Sequence, residues 1–355
     1  MEKIYKNFIK KCFTLAKKGM GKTLPNPMVG CVITDENNNI ISTGYHQKCG
    51  ENHAERNAIL NTDDEKLKNS TLYVNLEPCS HFGKTPPCAD LIIEKGIKKV
   101  VISMKDPNPV VSGRGIQKLK NAGVEVISGI LKDEAKELNK VFIKNITKHK
   151  PYILIKTAAT LDSKIALENG KSKWITDDTS RLEVMKLRNE FQAIMTGTGT
   201  VMADNPSLTA RIKNGKNPIR IIMDKKGVIP LEYNVFKDNT EKIYLITNSK
   251  NKYPSHIQKI DFKDYDTLFK TLYKLNIFSI LIEAGAGLNS SIIASKSADE
   301  INIFMAPKIF GGGKSFISGF NFENIDDCVK LENLKCKKLK NDILISAKFL
   351  YDKEK

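Results

Sequence analysis

The run Thr71-Leu72-Tyr73-Val74-Asn75-Leu76 is rich in β-branched and aromatic residues and leads straight into Glu77-Pro78-Cys79. Eight residues, Ser80 to Pro87, separate Cys79 from Cys88, and Cys88–Lys95 carries helical apolar spacing. Proline suits the first turn of a helix, and a helix N-terminus favours a thiolate. A strand end and a helix start therefore each present a cysteine. Upstream, His53-Ala54-Glu55 opens a predicted helix, His53–Leu60. One imidazole and two thiolates (His53, Cys79, Cys88) form a zinc set with the fourth tetrahedral position open, where water ionises near neutral pH. Glu55 is the candidate catalytic carboxylate, close enough to carry protons without holding the metal. His-x-Glu alone is common in helices; its combination with two Pro-Cys pairs in this order is specific. The competing reading is a structural site closed by His46 or Cys49, whose spacing to His53 is ligand-like. It leaves Glu55 without a role.

Around this stretch the chain alternates strands and helices. Phe8–Lys18 reads as a helix, and Met28–Thr34 and Asn39–Gly44 as a hairpin joined at Asp35–Asn38. Lys99–Ser103, Gly115–Ala122 and Val124–Ser128 continue as strand, helix and strand, and Asp133–Ile146 as a charged helix. The pattern predicts an α/β sandwich. A boundary is expected near Thr147–Pro151, giving units 1–147 and 148–355. The second unit repeats the α/β alternation. Strands are expected at Tyr152–Thr157, Ala193–Thr196, Ile219–Met223, Ile243–Thr247, Ser279–Glu283, Ile301–Met305 and Ile343–Leu350. Helices are expected at Thr179–Asn189 and Thr267–Leu275. Gly285-Ala286-Gly287, between a strand and a helix, fits a backbone cradle for a cofactor pyrophosphate. A tight turn reads the same way, and the spacing lacks the full Rossmann fingerprint.

Two units suit 355 residues with 41% hydrophobic content. No apolar run reaches a membrane span, and Met1–Met20 reads as the first helix of a cytoplasmic protein rather than a leader. The net charge of +17 raises a nucleic-acid partner, but the lysines are scattered and no basic arm is present, so no nucleic acid is expected. Seven cysteines without a secretory signal argue against a disulfide framework.

These residues resemble the cytidine-deaminase-like superfamily and, within it, the bifunctional riboflavin-biosynthesis family that joins a pyrimidine deaminase to a pyrimidine reductase. The resemblance rests on Glu77–His81 with Thr85–Cys88, on Pro25-Asn26-Pro27-x-Val29-Gly30, and on Asp106-Pro107-Asn108-Pro109 with Gly113-Arg114-Gly115. Nucleic-acid-editing members usually place two residues between the cysteines, not eight. The resemblance implies a diaminopyrimidinone bearing a ribosylamino 5′-phosphate as substrate. It also implies zinc on His53, Cys79 and Cys88, with Glu55 as proton shuttle. Asn26, His46, Lys84, Asp106 and Asn108 would then contact substrate. Turn chemistry competes for Asn26 and Asn108, and a plain solvated lysine for Lys84.

The second unit resembles reductases of dihydrofolate-reductase-like fold. The segments are Lys156-x3-Thr160-Leu161-Asp162-x-Lys164, Ser172–Thr176, Gly197–Thr209, Glu283–Leu288 and Ala306–Gly313. The resemblance implies NADPH against Ala158, Trp174, Thr200, Asp204 and the turn Gly285, Ala286, Gly287, Leu288, Asn289, Ser290 and Ser291. It implies substrate against Ser172, Arg188, Leu208, Arg211 and Glu283, with Arg188 and Arg211 suited to a phosphate fork. Trp174 could equally be core. Ser163, Asn205 and Lys225 depart from the usual Gly, Asp and Ser. The expected protein is thus a zinc- and NADPH-dependent bifunctional enzyme, a homo-oligomer acting on small phosphorylated pyrimidines. Its fold is a cytidine-deaminase-like αβα sandwich followed by a dihydrofolate-reductase-like α/β domain. A nucleic-acid deaminase and a non-catalytic zinc protein are the alternatives.

Overall fold

The computed structural model describes residues 1–81, 86–108, 111–237 and 242–351. Two compact units divide the chain, Met1–His149 and Lys150–Lys355.

The first unit holds β1 (Gly30–Thr34), β2 (Ile40–Tyr45), β3 (Thr71–Leu76), β4 (Lys99–Met104) and β5 (Glu125–Ser128) in the order β2-β1-β3-β4-β5. β1 runs antiparallel to β2 and β3; β3, β4 and β5 are parallel. The helices are α1 (Glu2–Ala16), α2 (Ala54–Leu60), α3 (Asp64–Leu67), α4 (Cys88–Glu94), α5 (Arg114–Asn121), α6 (Lys132–Leu138) and α7 (Lys140–Lys148). Side chains alternate across each strand. Cys31, Ile33, Leu72, Val74, Val100 and Ile102 face a core with Ala58, Ile59 and Ile92. Val32, Tyr73 and Val101 face the opposite way, against Phe8, Ile9 and Cys12 of α1. Strands buried on both faces are what a helix–sheet–helix sandwich requires.

The helix expected over Asp133–Ile146 is two helices, broken at Asn139. Its buried amide pairs with the backbone of Met28, accepting from the N–H at 2.8 Å and donating to the carbonyl at 3.0 Å. That side chain stands in for a neighbouring strand and secures the chain just before β1.

The second unit contains β6 (Tyr152–Thr160), β7 (Lys164–Ala166), α8 (Asp178–Glu190), β8 (Ala193–Gly197), α9 (Thr198–Asp204), β9 (Ile219–Met223) and α10 (Asn234–Lys237). It continues with β10 (Ile243–Ile246), β11 (Ile257–Ile260), α11 (Tyr265–Lys274), β12 (Ser279–Glu283), α12 (Ala286–Ala294), β13 (Glu300–Ala306), β14 (Lys314–Ser315), β15 (Lys330–Leu339) and β16 (Asp342–Leu350). A nine-stranded sheet has the order β11-β10-β9-β8-β12-β6-β13-β16-β15. Its strands are parallel from β11 to β13, and β16 and β15 close it as an antiparallel pair. One face packs Ile153, Met195, Ile221, Ile280 and Ile282 against Phe269 and Ile292. The other packs Ile194, Ile222 and Leu245 against Val201 and Phe236.

Three elements lack the signals used to find them. β15 reads Lys-Leu-Glu-Asn-Leu-Lys-Cys-Lys-Lys-Leu and is exposed along almost its whole length, so no alternation marks it. α9 begins Thr-Gly-Thr, poor helix formers. β11 alternates too briefly to stand out. Ser163 adopts φ 64°, the left-handed region glycine tolerates best.

The carboxyl ends of β9, β8 and β12 and the second half of β6 open onto one cleft of about 1020 Å³. Open parallel sheets place ligands at this edge.

Candidate active sites

In the first unit, His53 is the residue that caps α2, and its side chain makes no capping bond. The imidazole is free to turn to the sulfurs. Nδ1 lies 3.5 Å from Sγ of Cys79 and 3.5 Å from Sγ of Cys88. Cys88 is the first residue of α4, and its N–H donates to Cys79 Sγ at 3.3 Å. All three ligand atoms lie within 4.8 Å of one another, the only such group found among the described residues. The Cys88 thiol and the His53 imidazole hold Cys79 down at about 4, while His53 is raised to about 9 by its bond to Cys79. A set of soft sulfur donors and one imidazole at this separation fits zinc.

Glu55 sits in the first turn of α2, 3% exposed. Burial lifts its carboxyl to about 7, against the pull of His53. His46 is not a further ligand. Its Nδ1 lies 3.0 Å from the Asn52 carbonyl and its Nε2 lies 3.2 Å from Nδ2 of Asn26, so both nitrogens are engaged. A carbonyl only accepts, so Nδ1 carries the proton and Nε2 accepts from the Asn26 amide. The His46 ring meets His53 edge-on at 5.7 Å, and burial lowers its pKa. Cys49 is exposed and outside the ligand group. Asp106 and Asn108 form a tight turn, with the Asn108 N–H donating to Asp106 Oδ1 at 2.8 Å. Burial raises the Asp106 carboxyl. Lys84 lies outside the described residues.

Glu77 was given no role by its sequence and proves to organise this site. Its buried carboxylate accepts from the N–H groups of Asp106 (3.1 Å), Gly113 (2.9 Å), Gly115 (3.0 Å) and Ile116 (3.2 Å). It thereby ties the turn after β4 and the start of α5 to the Cys79 loop. Gly115 is required by close approach, since a Cβ there would stand 2.0 Å from the Pro78 carbonyl oxygen.

In the second unit, Arg188 and Glu283 form the charged floor of the cleft. Arg188 donates through Nε to Oε1 at 2.6 Å and through Nη2 to Oε2 at 2.9 Å, and Nη1 donates to the Thr209 carbonyl at 3.0 Å. Lys156 Nζ adds a second cation, 3.1 Å from Glu283 Oε2. Burial alone would raise the Glu283 carboxyl, but Lys156 and Arg188 overcome it and hold it at about 2. These bonds use three of the five N–H donors of Arg188. Arg211 also lines the cleft, is exposed, and has no acidic partner among the described residues. Lys156 escaped the sequence reading of roles, although a lysine inside an apolar strand is itself a signal that a partner waits.

Trp174 is not core. It is 63% exposed on the cleft, with the Arg181 guanidinium 4.7 Å from its ring centroid. Ser172 Oγ reaches Asp204 Oδ1 at 3.4 Å, and the Gly285 N–H donates to Thr200 Oγ1 at 3.2 Å. Ala158 and Leu208 line the same cleft. At Gly199 and Gly287 a Cβ would meet nothing within 4 Å, so backbone faces open space in the first turns of α9 and α12. The first-turn N–H groups of α12, which have no partner within the helix, fit a dinucleotide pyrophosphate. From the same turn, Ala286, Leu288 and Ser291 line the cleft. Asn289 and Ser290 do not: Asn289 is buried and donates to the Ala284 and Phe316 carbonyls, and Ser290 Oγ accepts from the Ser318 N–H.

Comparison with known proteins agrees across both units. Residues 2–104 match the cytidine and deoxycytidylate deaminase zinc-binding region. Residues 151–345 match the RibD C-terminal domain. The riboflavin biosynthesis protein RibD of Actinobacillus pleuropneumoniae is 41% identical, over 96% of this chain and 94% of its own. RibD of Aquifex aeolicus is also 41% identical, over 98% and 99%. A crystal structure from Thermotoga maritima, a diaminohydroxyphosphoribosylaminopyrimidine deaminase/5-amino-6-(5-phosphoribosylamino)uracil reductase, superposes with TM-score 0.88 at 41% identity, covering 98% and 99% of the two chains. The fold is therefore a cytidine-deaminase-like domain followed by a dihydrofolate-reductase-like one. With a zinc-type donor set in one unit and a cofactor-sized cleft in the other, the chain belongs to the RibD family, the bifunctional deaminase–reductases of riboflavin biosynthesis.

Proposed function

We propose that the first unit hydrolyses the ring 2-amino group of 2,5-diamino-6-ribosylamino-4(3H)-pyrimidinone 5′-phosphate, and that the second reduces the ribosyl group of the product to ribityl with NADPH. The observation that carries this reading is the convergence of His53, Cys79 and Cys88 beside the buried carboxyl of Glu55. His53, Cys79 and Cys88 would hold zinc, which would supply Lewis acidity and a hydroxide near neutral pH. Glu55 moves the water's proton to the ring nitrogen and then to the departing amine, so that ammonia leaves. Asn26, Asp106 and Asn108 read the amide-like ring edge, and His46, fixed in one tautomer by Asn52, contacts the substrate beside the Asn26 amide that it orients. Lys84 is assigned to the phosphate.

In the second unit NADPH supplies the hydride for C1′ of the sugar. Ala158, Trp174, Thr200 and Asp204 hold the cofactor together with Gly285, Ala286, Gly287, Leu288 and Ser291. Ser172, Leu208, Arg211 and Glu283 hold the substrate, with Arg211 on its phosphate. Arg188 holds Glu283 with one edge and offers its remaining N–H donors to the substrate. Lys156, held by Glu283, gives a proton to the ring oxygen as the sugar opens. The protein works in the cytoplasm as a homo-oligomer on small phosphorylated pyrimidines. None of its described helices is long and apolar enough to cross a membrane.

Glu55→Gln tests the first half. Zinc content should stay at one ion per chain while ammonia release falls about 10²–10⁴-fold, the usual worth of a general acid–base. Near-normal release would remove Glu55 from the chemistry.

A further inference from the structure

Asp342 opens β16, two strands beyond β6 in the sheet, and does not line the cleft. It is nevertheless 2% exposed, and a carboxylate is rarely buried without partners. Its Oδ2 accepts from the Asp177 N–H at 2.8 Å and from the Ser180 hydroxyl at 2.6 Å. Asp177 returns the contact. Its Oδ2 accepts from the Asn341 N–H at 3.4 Å, while its Oδ1 caps α8 by accepting from the Ser180 N–H at 3.0 Å. Ser180 is wholly buried, and Val184, one turn on, packs with Phe304 and Leu339. The first turn of α8 is thereby fastened to the turn between β15 and β16.

What α8 carries gives that clasp its consequence. Arg181, Val184, Met185 and Arg188 recur at helical spacing and share the face that lines the cleft. Arg181 directly follows the clasped Ser180. It donates through Nη1 to the Thr176 carbonyl at 2.6 Å, and its guanidinium lies 4.7 Å from the Trp174 ring centroid. Arg188, two turns and about 10 Å further along the axis, grips Glu283, which in turn holds Lys156. One helix therefore sets the Trp174 ring and the Glu283–Lys156 pair relative to each other, and the clasp sets where that helix begins.

We propose that Asp342 is a positioning residue of the reductase: through Ser180 and Asp177 it fixes α8 so that Arg188 presents Glu283 and Lys156 in register with the Trp174 ring. A misplacement of about 1 Å in groups that orient a substrate costs about a hundredfold in rate, even when its cause lies far from the chemistry. The proposal rests on the reading of the second unit's cleft as the reductase site.

Two variants of the full chain test it, well below their melting temperatures. Asp342→Asn removes the charge and keeps the size, and Ser180→Ala removes only the hydroxyl. The readouts are NADPH oxidation with the deaminated product, ammonia release, and the fluorescence anisotropy of Trp174, the chain's only tryptophan. In each variant the kcat of NADPH oxidation should fall about ten- to a hundredfold, with KM changed less. Trp174 anisotropy should fall as its ring loosens, and ammonia release should be unchanged. The double variant should lose little more than the worse single one, because both cut the same bond. Wild-type kcat and anisotropy in both folded variants overturn the proposal and leave Asp342 a support of the fold. Losses that multiply in the double variant also overturn it, since the two residues then act separately. An equal loss of ammonia release overturns it as general damage. A wild-type chain that oxidises no NADPH overturns the reductase reading and the proposal together.

Discussion

Arg188 meets Glu283 side-on, Nε to Oε1 at 2.6 Å and Nη2 to Oε2 at 2.9 Å, and both residues are at most 9% exposed. This pairing occupies one edge of the guanidinium whose sequence setting suggested a phosphate fork. It makes Arg188 a positioning residue that holds one carboxylate at the cleft floor. Arg188→Ala would strand Glu283 as a buried charge with only Lys156 beside it. The second unit should lose about 3–5 kcal/mol in denaturant unfolding, the cost of breaking a buried pair. A loss below about 1 kcal/mol would mean the pair is solvated.

Glu283 also sets a pH dependence. Its carboxyl is held at about 2, below the ordinary 4.5. The unfolded chain therefore takes up the proton first as pH falls. The stabilisation is present above about pH 4.5 and is lost progressively toward pH 2. Comparison of wild type with Glu283→Gln by denaturant unfolding should show the wild-type advantage shrinking across that window. An advantage constant from pH 5 to 2 would contradict the assigned ionisation.

Arg211 lines the cleft with no acidic partner among the described residues. Arg211→Ala should raise the reductase KM about ten- to a hundredfold, since a hydrogen bond to a charged group is worth this much. Its exposure predicts an unchanged melting temperature. An unchanged KM would place the phosphate elsewhere.

Glu77 and Gly115 hold the thiolate loop together. Glu77→Gln orphans backbone donors among Asp106, Gly113, Gly115 and Ile116, at roughly 1–3 kcal/mol for each buried donor left unpaired. Gly115→Ala drives a Cβ to 2.0 Å from the Pro78 oxygen. Both variants should bind zinc more weakly, by chelator competition, although neither residue touches the metal. Wild-type zinc affinity in both would show that the loop is held by other means.

The sequence was informative where chemistry needs particular residue types at fixed order. His53, Glu55, Cys79 and Cys88 were legible because a strand end and two helix starts carry them. The strands Thr71–Leu76, Ile219–Met223 and Ser279–Glu283 were legible because both faces are buried and the runs are bounded by turn residues. The break at Asn139 was hidden, because its cause is a partner at Met28, far away in sequence. The Arg188–Glu283 pairing was hidden for the same reason, being a contact across 95 residues. β15 was hidden because exposed strands carry no apolar period.

The most direct measurement follows ammonia release and NADPH oxidation in one preparation, before and after removal of metal by a chelator. With the diaminopyrimidine phosphate, ammonia release should disappear on chelation and return with zinc. With the deaminated product, NADPH oxidation should continue at its original rate throughout. Ammonia release that survives complete loss of metal would contradict the role given to His53, Cys79 and Cys88.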